Sequence, residues 1–369
     1  MSLLIAIITS AAVVLVSPFM GQLQSFLRRS LTTQSYVLVF GVGLMIAVAL
    51  ALGIAVTRIR DRRGARFGLL TIALALGAAY MWAVATPYAE VNAVERVHFV
   101  EYGLIAFLFY RAWRHAGDLS SVILPLLAGV MVGTFDEWVQ WFIPVRVGEA
   151  HDVFLNVVSL VCGVLFAVAL QPPATFIARL HPAGGRKVAI GAVSAWLVFA
   201  TFVSEVHLGH EIDVEGIGRF RSHYRAERLE ALSRDRSARW KVNPPTTLRR
   251  LSQEDQYLDE GVWHVRRRNV TEPSEAWREN LILERYFAPV LDTSTYAAPG
   301  GSRWPADQRA DLATRAGAAS APFVSAAEPY PIVPWPRAVY WPVVIAIAVL
   351  LAVFSLAAAR RDLRTDRLR

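Results

Sequence analysis

Hydrophobic residues in this chain run in long unbroken blocks, not in the short alternations of a soluble fold. Residues 3–27, 36–57, 67–89, 153–177 and 338–359 carry no charged side chain. Each is long enough for the about 20 apolar residues that a helix needs to cross a bilayer core. Three further segments have the same pattern with polar interruptions. Residues 188–204 are slightly short, residues 119–135 run straight into Asp136-Glu137, and residues 94–113 open with Glu95, Arg96, His98 and Glu101. Together these predict about eight membrane-spanning helices. The first block has no basic stretch before it, and Ser17-Pro18-Phe19-Met20 is a poor cleavage site, so it reads as a retained span.

Between the seventh and eighth spans lies the one long hydrophilic region, residues 205–336. Its pattern predicts helices over 222–240 and 274–291, each opening on a serine that could cap it. It also predicts a short strand at 262–265 and an irregular, Ala-, Pro- and Gly-rich return over 297–336. The expected class is an all-α polytopic membrane protein with a mainly helical hydrophilic domain. Its expected parts are N-terminal spans in 1–66, a core in 67–171, a loop and seventh span in 172–204, the domain in 205–336, and a last span with a basic tail in 337–369.

Composition sharpens this picture in two places. The formal net charge of +8 could suggest nucleic acid, but residues 205–336 hold 18 Lys/Arg against 19 Asp/Glu. The excess sits in short loops and the tail, which is the pattern of orientation signals and excludes a nucleic-acid surface. Alternating sides puts Arg58, Arg60, Arg62, Arg63, Arg66, Arg111, Arg114, Arg179, Arg186, Lys187 and the tail arginines on one face. The short segments on the other face keep only Arg28, Arg29, Arg96 and Arg146. The positive-inside rule then places both termini in the cytoplasm and 205–336 outside, in the inner (cytoplasmic) membrane of a bacterium. The single cysteine, Cys162, lies in an apolar block and allows neither a disulfide framework nor a thiolate metal site within one chain.

Candidate chemistry collects at the ends of the fourth, fifth and sixth spans, on the expected outer face. Glu95, His98 and Tyr102 are spaced three and four apart and share a helix face. Asp136 and Gln140 share another, with Glu137 beside them. A loop carrying Arg146, Glu149 and His151 leads to Asp152 and, one turn on, Asn156. Ionisable groups at such depth are costly and need partners. The candidate ion pairs are Arg146 with Asp152 or Asp136, and His98 with Glu101 or Asp136. The alternative is that these groups merely tie helix ends together, which suits Glu90, Glu149 and Arg96 best. The number of acids favours a functional cluster of Glu95, His98, Asp136, Glu137 and Asp152, with Tyr102, Gln140, Arg146, His151 and Asn156 as binding groups.

The runs Glu95-x-x-His98-Phe99-x-x-Tyr102, Asp136-Glu137-x-x-Gln140-x-Phe142-x-Pro144-x-Arg146 and Asp152-x-x-x-Asn156 resemble the signature of the VanZ-like family. The resemblance covers roughly residues 70–170. Ser159 stands where the family often has glycine, while Gly163 fits a later one. The resemblance implies an integral membrane protein of a family whose namesake is linked to low-level resistance to the glycopeptide teicoplanin. It implies no reaction.

Three functions stay open. One is a cell-envelope factor holding a lipid-linked or cell-wall compound. Another is a membrane-embedded enzyme using carboxylate/His acid–base chemistry, or a divalent cation held by His98 with Glu95, Asp136 or Asp152. The third is a transporter or lipid-moving protein, which should carry charges through the whole membrane depth. Membrane lipids are the expected partners. No cofactor is assigned, and no metal site is expected. His207-Leu208-Gly209-His210-Glu211 lacks zinc-protease spacing and reads as a hydrated helix end. Asn269-Val270-Thr271 matches a glycosylation sequon by chance, and Arg266-Arg267-Arg268 reads as a solvated basic face.

Overall fold

A computed structural model of the chain describes residues 1–143, 146, 148–245, 248, 256–294, 300–316 and 322–366, with side chains through residue 358. Pro144 of the polar motif and the side chains of the basic tail fall outside these. The chain forms two compact units. The first comprises Met1–Trp141, Gly148–Phe202 and Pro342–Arg369; the second comprises Phe142–Val147 and Val203–Trp341.

The first unit is built from helices α1 (Ser2–Ser30), α2 (Thr33–Arg58), α3 (Arg63–Ala83), α4 (Ala89–Glu95), α5 (Val97–Trp113), α6 (Ser120–Phe142), α7 (Ala150–Leu170), α8 (Pro182–Val206) and the long last helix (Arg337–Asp366). Among the described residues, seven helices are long and apolar enough to cross a membrane: α1, α2, α3, α6, α7, α8 and the last one. The expected fourth span differs. It breaks at Arg96 into the 7-residue α4 and the 17-residue α5. At 1.5 Å per residue α5 is about 25 Å long, some 5 Å short of the roughly 30 Å hydrocarbon core. The break falls at the Glu95-Arg96 charge pair, where the chain turns polar.

α5, α6 and α7 share the middle of this unit. Tyr102, Ile105, Ala106 and Phe109 of α5 pack with Leu160 and Val164 of α7 and Ala6 of α1 into one buried cluster. Small residues make the approach close. A Cβ placed on Gly163 would lie 2.6 Å from the Gly103 Cα, and one on Gly129 would lie 2.2 Å from Leu160. Such small-residue contacts are the usual means by which helices associate in lipid, where burying apolar area gives no drive. At the other end of α7, buried Arg66 donates from Nε to the Ala169 carbonyl at 2.6 Å and from Nη2 to the Leu170 carbonyl at 2.9 Å, and pairs with Asp61. These carbonyls belong to the last turn of α7, which has no intrahelical donors for them. Asp118 joins two elements in the same way, accepting from the Ser120 and His181 backbone N–H groups at 3.0 and 2.8 Å.

The second unit holds a hairpin, β1 (His210–Val214) and β2 (Gly218–Ser222), and helices α9 (Ala226–Val242), α10 (Gln256–Val270), α11 (Pro273–Tyr286), α12 (Ala288–Asp292) and α13 (Ala306–Ala316). The helix from Arg337 is α14. The strands pair antiparallel from His210↔Ser222 to Val214↔Gly218. Their turn needs left-handed backbone at Gly216 (φ +77°) and Gly218 (φ +123°), which only glycine adopts without strain. Phe220, Leu229, Tyr257, Ile282, Leu283, Tyr286, Phe287 and Val290 fill the core between hairpin and helices.

Several expectations for this region are corrected. Residues 262–265 are not a strand but the middle of α10. The buried positions Tyr257, Leu258, Gly261, His264 and Arg268 recur at helical spacing, and that period overrides the local β-forming run of Val, Trp and Val. Ser222 ends β2 and caps no helix; its hydroxyl donates to Glu260 at 2.5 Å. Glu272, not Ser274, is the N-cap of α11, with Pro273 in its first turn. The return segment includes α13, fixed by Arg309, which grips both Glu284 oxygens at 2.8 and 2.9 Å. His207–Glu211 is no hydrated helix end. His207 is buried, its Nδ1 lies 2.8 Å from the Pro331 carbonyl, and His210 begins β1. Arg268 is likewise buried, stacked over Trp304 at 4.7 Å; burial lowers its pKa to about 10.

One pH effect follows from this core. Burial pulls the His223 pKa down, but the Glu260 carboxylate, 2.9 Å from Nδ1, outweighs it together with the Val206 carbonyl at 2.7 Å from Nε2, and the net direction is up. Arg337 opposes this weakly. A group raised in the folded state stabilises below its unfolded pKa, and the effect is lost as pH rises through the folded value. The Tm gap between wild type and Glu260→Gln in detergent should therefore be widest below about pH 6.5 and narrow as pH climbs. A gap constant across pH 5–8 would contradict the coupling.

Candidate functional site

The polar cluster forms where the N-terminal ends of α5 and α7 meet the C-terminal end of α6. Tyr102, Asp136, Glu137, Gln140 and Asn156 are all buried, with Tyr102, Glu137 and Asn156 at 0% exposure. The i, i+4 spacing on α6 aims Gln140 back at Asp136, and its Nε2 donates to Asp136 Oδ2 at 2.9 Å and to Glu137 Oε1 at 3.4 Å. From α5, the Tyr102 hydroxyl donates to the same Oδ2 at 2.9 Å. His98, one turn before Tyr102, stacks on it with ring centroids 5.8 Å apart and planes at 16°. One carboxylate oxygen thus gathers donors from two helices.

Asn156 completes the cluster from α7. Gly133 is its seat, since a Cβ there would lie 3.2 Å from the Asn156 Cβ, 3.3 Å from its Nδ2 and 3.3 Å from Tyr102 Cε1. Neither amide atom of Asn156 has a hydrogen-bond partner among the described residues. A fully buried amide in that state forgoes several kcal/mol (about 1–3 per group). Such a group calls for a ligand or ordered water. Ser159, at the position where a glycine was expected, turns its hydroxyl onto the Leu155 carbonyl at 2.9 Å and leaves the close contact to Gly163.

A second, more exposed group lies beside the cluster. Glu95, at the end of α4, is partly buried and within electrostatic reach of His151, Glu149 and Arg96. Burial raises the Glu149 pKa, with His151 acting in the opposite direction. Asp152 lies in the first turn of α7, where a carboxylate suits the positive end of the helix dipole. Ten residues were expected at the site. Tyr102, Asp136, Glu137, Gln140 and Asn156 form the buried group, His98 adjoins it, and Glu95 and His151 form the outer group. Asp152 is in the first turn of α7, and Arg146 belongs to the second unit.

Sequence reading passed over the glycines that make this arrangement possible. Gly129 and Gly133 stand four apart on α6, a small-xxx-small pattern legible in the sequence. Gly148 comes closer still. A Cβ there would lie 1.9 Å from the Glu137 carbonyl oxygen and 2.7 Å from the Trp141 nitrogen, so the chain before α7 is pressed onto the α6 backbone. Among the described residues, no three His, Cys, Asp or Glu side chains group so as to hold a metal ion.

The VanZ/LLP1 family model matches residues 7–171. No curated protein and no solved structure matches the chain. The match takes in α1 and α2 as well, helices without polar motif residues that lie outside the span of the polar signature. The chain therefore carries a domain over residues 7–171 that matches the VanZ/LLP1 family model, followed by an additional helical region and a further apolar helix.

Proposed function

We propose that this protein acts in the bacterial cell envelope, and that the α5–α6–α7 cluster binds the polar head of a lipid-linked or cell-wall compound at the extracytoplasmic face. The observation that carries this is the Asn156 amide, fully buried and without a protein partner among the described residues, beside the Tyr102–Asp136–Gln140 array. An amide offers both donor and acceptor, which suits hydroxyl- and amide-rich head groups. The acids gather at one end of the spans and do not form a relay through their depth, which favours binding over proton-coupled transport. Both termini lie in the cytoplasm in this reading, with 205–336 outside, and a glycopeptide-resistance-type role fits such a site. An enzymatic variant rests on Asp136 and Glu137, adjacent carboxyl groups that share the Gln140 amide and could divide acid and base roles.

The test compares lipid-linked and cell-wall precursors in a deletion strain complemented with wild type, Asp136→Asn or Asn156→Ala. Wild type should restore the precursor profile and both variants should fail, at equal membrane levels of protein. Full restoration by both variants would reject the site. Loss of the protein from the membrane would instead mark the cluster as a helix staple.

A further inference from the structure

Away from the polar cluster, the first unit contains an apolar groove of about 860 Å³ between α2 on one side and α3, α5 and α7 on the other. Well-packed interiors leave few voids larger than a water molecule, and this volume is in the range of ligand sites. Its floor is made of small residues, Ala73, Gly77, Gly103 and Gly163, and its outer wall is α2 from Leu44 to Arg58. That stretch of α2 is about 21 Å long by helix rise, more than one leaflet's share of a roughly 30 Å core. α2 buries only Tyr36 and Ala55; Ala55 and Ile59 pack on Leu70 and Ala169 at one end, and the rest of the helix forms an open wall of the groove.

The groove is polar at one end only, where Arg58 and Gln171 line it. The other groups there are already engaged. Arg66 is bound to Asp61 and to the α7 carbonyls, and Gln171 accepts from Arg114 at 3.0 Å and, through its backbone, from the Tyr110 hydroxyl at 2.8 Å. Arg58 has no acidic partner among the described residues, and Arg60, Arg62 and Arg63 follow it closely in the chain. A long hydrocarbon slot ending at the Arg58 guanidinium, with further arginines close by in the chain, is complementary to one kind of molecule. Basic pockets between spanning helices recognise anionic head groups in this way.

We propose that this groove is a binding site for an anionic phospholipid of the bilayer, with an acyl chain lying between α2 and the α3–α5–α7 wall and the phosphate at Arg58. The site is separate from the polar cluster and does not depend on its function. The acyl chain would fill the space that α2 leaves open between its packed end at Ala55–Ile59 and the α3–α5–α7 wall.

The test is native mass spectrometry of the full-length protein, purified in mild detergent and re-exposed to mixed phosphatidylglycerol and phosphatidylcholine. Wild type should retain phosphatidylglycerol at roughly stoichiometric level and in clear preference to phosphatidylcholine. Arg58→Ala, at an exposed position, should lose that preference at least several-fold. Ala51→Trp, which fills the groove from its wall, should lose the bound lipid altogether. Wild type without preference for the anionic lipid, or Arg58→Ala with the wild-type preference, would overturn the proposal. So would a dimer that Ala51→Trp converts to monomer, which would make a second copy the occupant. Should Ala51→Trp fail to fold, the Arg58→Ala comparison decides alone.

Discussion

Gly163→Ala should clearly destabilise the first unit, while Gly103→Ala, across the same contact, should behave nearly as wild type. The asymmetry comes from geometry. A methyl on Gly163 would lie 2.6 Å from both the Cα and the carbonyl oxygen of Gly103 and 2.9 Å from the Ala106 Cβ, whereas one on Gly103 meets only the Gly163 Cα at 3.9 Å. The first set includes backbone atoms, which cannot swing aside, so α5 and α7 must separate. Overpacking of this kind costs about 1–3 kcal/mol, and here it also moves Tyr102 relative to Asp136 and Asn156. Thermal melting in detergent, followed by size-exclusion recovery, reads the effect. Equal recovery of the two variants would show that the α5–α7 contact is looser than the Gly163 geometry requires.

Glu279→Ala should lower the stability of the second unit by roughly 3–5 kcal/mol, the usual result of removing one member of a buried hydrogen-bonded pair. Glu279 is fully buried, with His264 Nδ1 at 2.6 Å on one oxygen and the Ser325 hydroxyl at 2.5 Å on the other. Truncation leaves His264 Nδ1 without its partner in a core walled by Phe220 and Phe287, whose rings lie 5.6 and 5.3 Å from the His264 ring, and leaves the Ser325 hydroxyl only the Ala327 N–H that it accepts from. Glu279→Gln keeps one acceptor and one donor, so it should cost distinctly less. A tryptophan-fluorescence melt of the whole protein measures both. Equal midpoints for wild type and Glu279→Ala would mean that the pair contributes nothing net.

What the sequence reveals of this molecule follows from how local each signal is. The spans are legible because an uninterrupted apolar run of that length has few other uses. α5 is the exception, because its polar opening hides where the helix begins. In the second unit, Val262-Trp263-His264-Val265 misleads, since four residues favour a strand while the wider window, with Leu258, Gly261 and Arg268 on one face, specifies a helix. The hairpin at His210–Ser222 goes unseen because each strand has 5 residues and the bridge that flanks β2, from Arg219 to Val324, spans more than a hundred residues.

The candidate site divides along the same line. Asp136 and Gln140 can be paired from spacing on one helix, and Glu95, His98 and Tyr102 can be aligned on another. The Tyr102–Asp136 bond and the seating of Asn156 over Gly133 depend on how closely three helices approach. That distance is set by glycines whose lack of a side chain carries no chemical signal of its own. Gly148 shows this most sharply, as nothing in the loop sequence announces that the chain must touch the α6 backbone.

The break at Arg96 has a consequence for the surrounding membrane. A helix as short as α5 cannot match an unperturbed bilayer, so lipids beside it compress or the polar opening of the helix draws water and head groups inward. Thinning of that kind would bring the head groups down toward the buried acids and the Asn156 amide. A lipid-borne ligand would meet them by sliding sideways along the thinned patch, without having to leave the membrane plane.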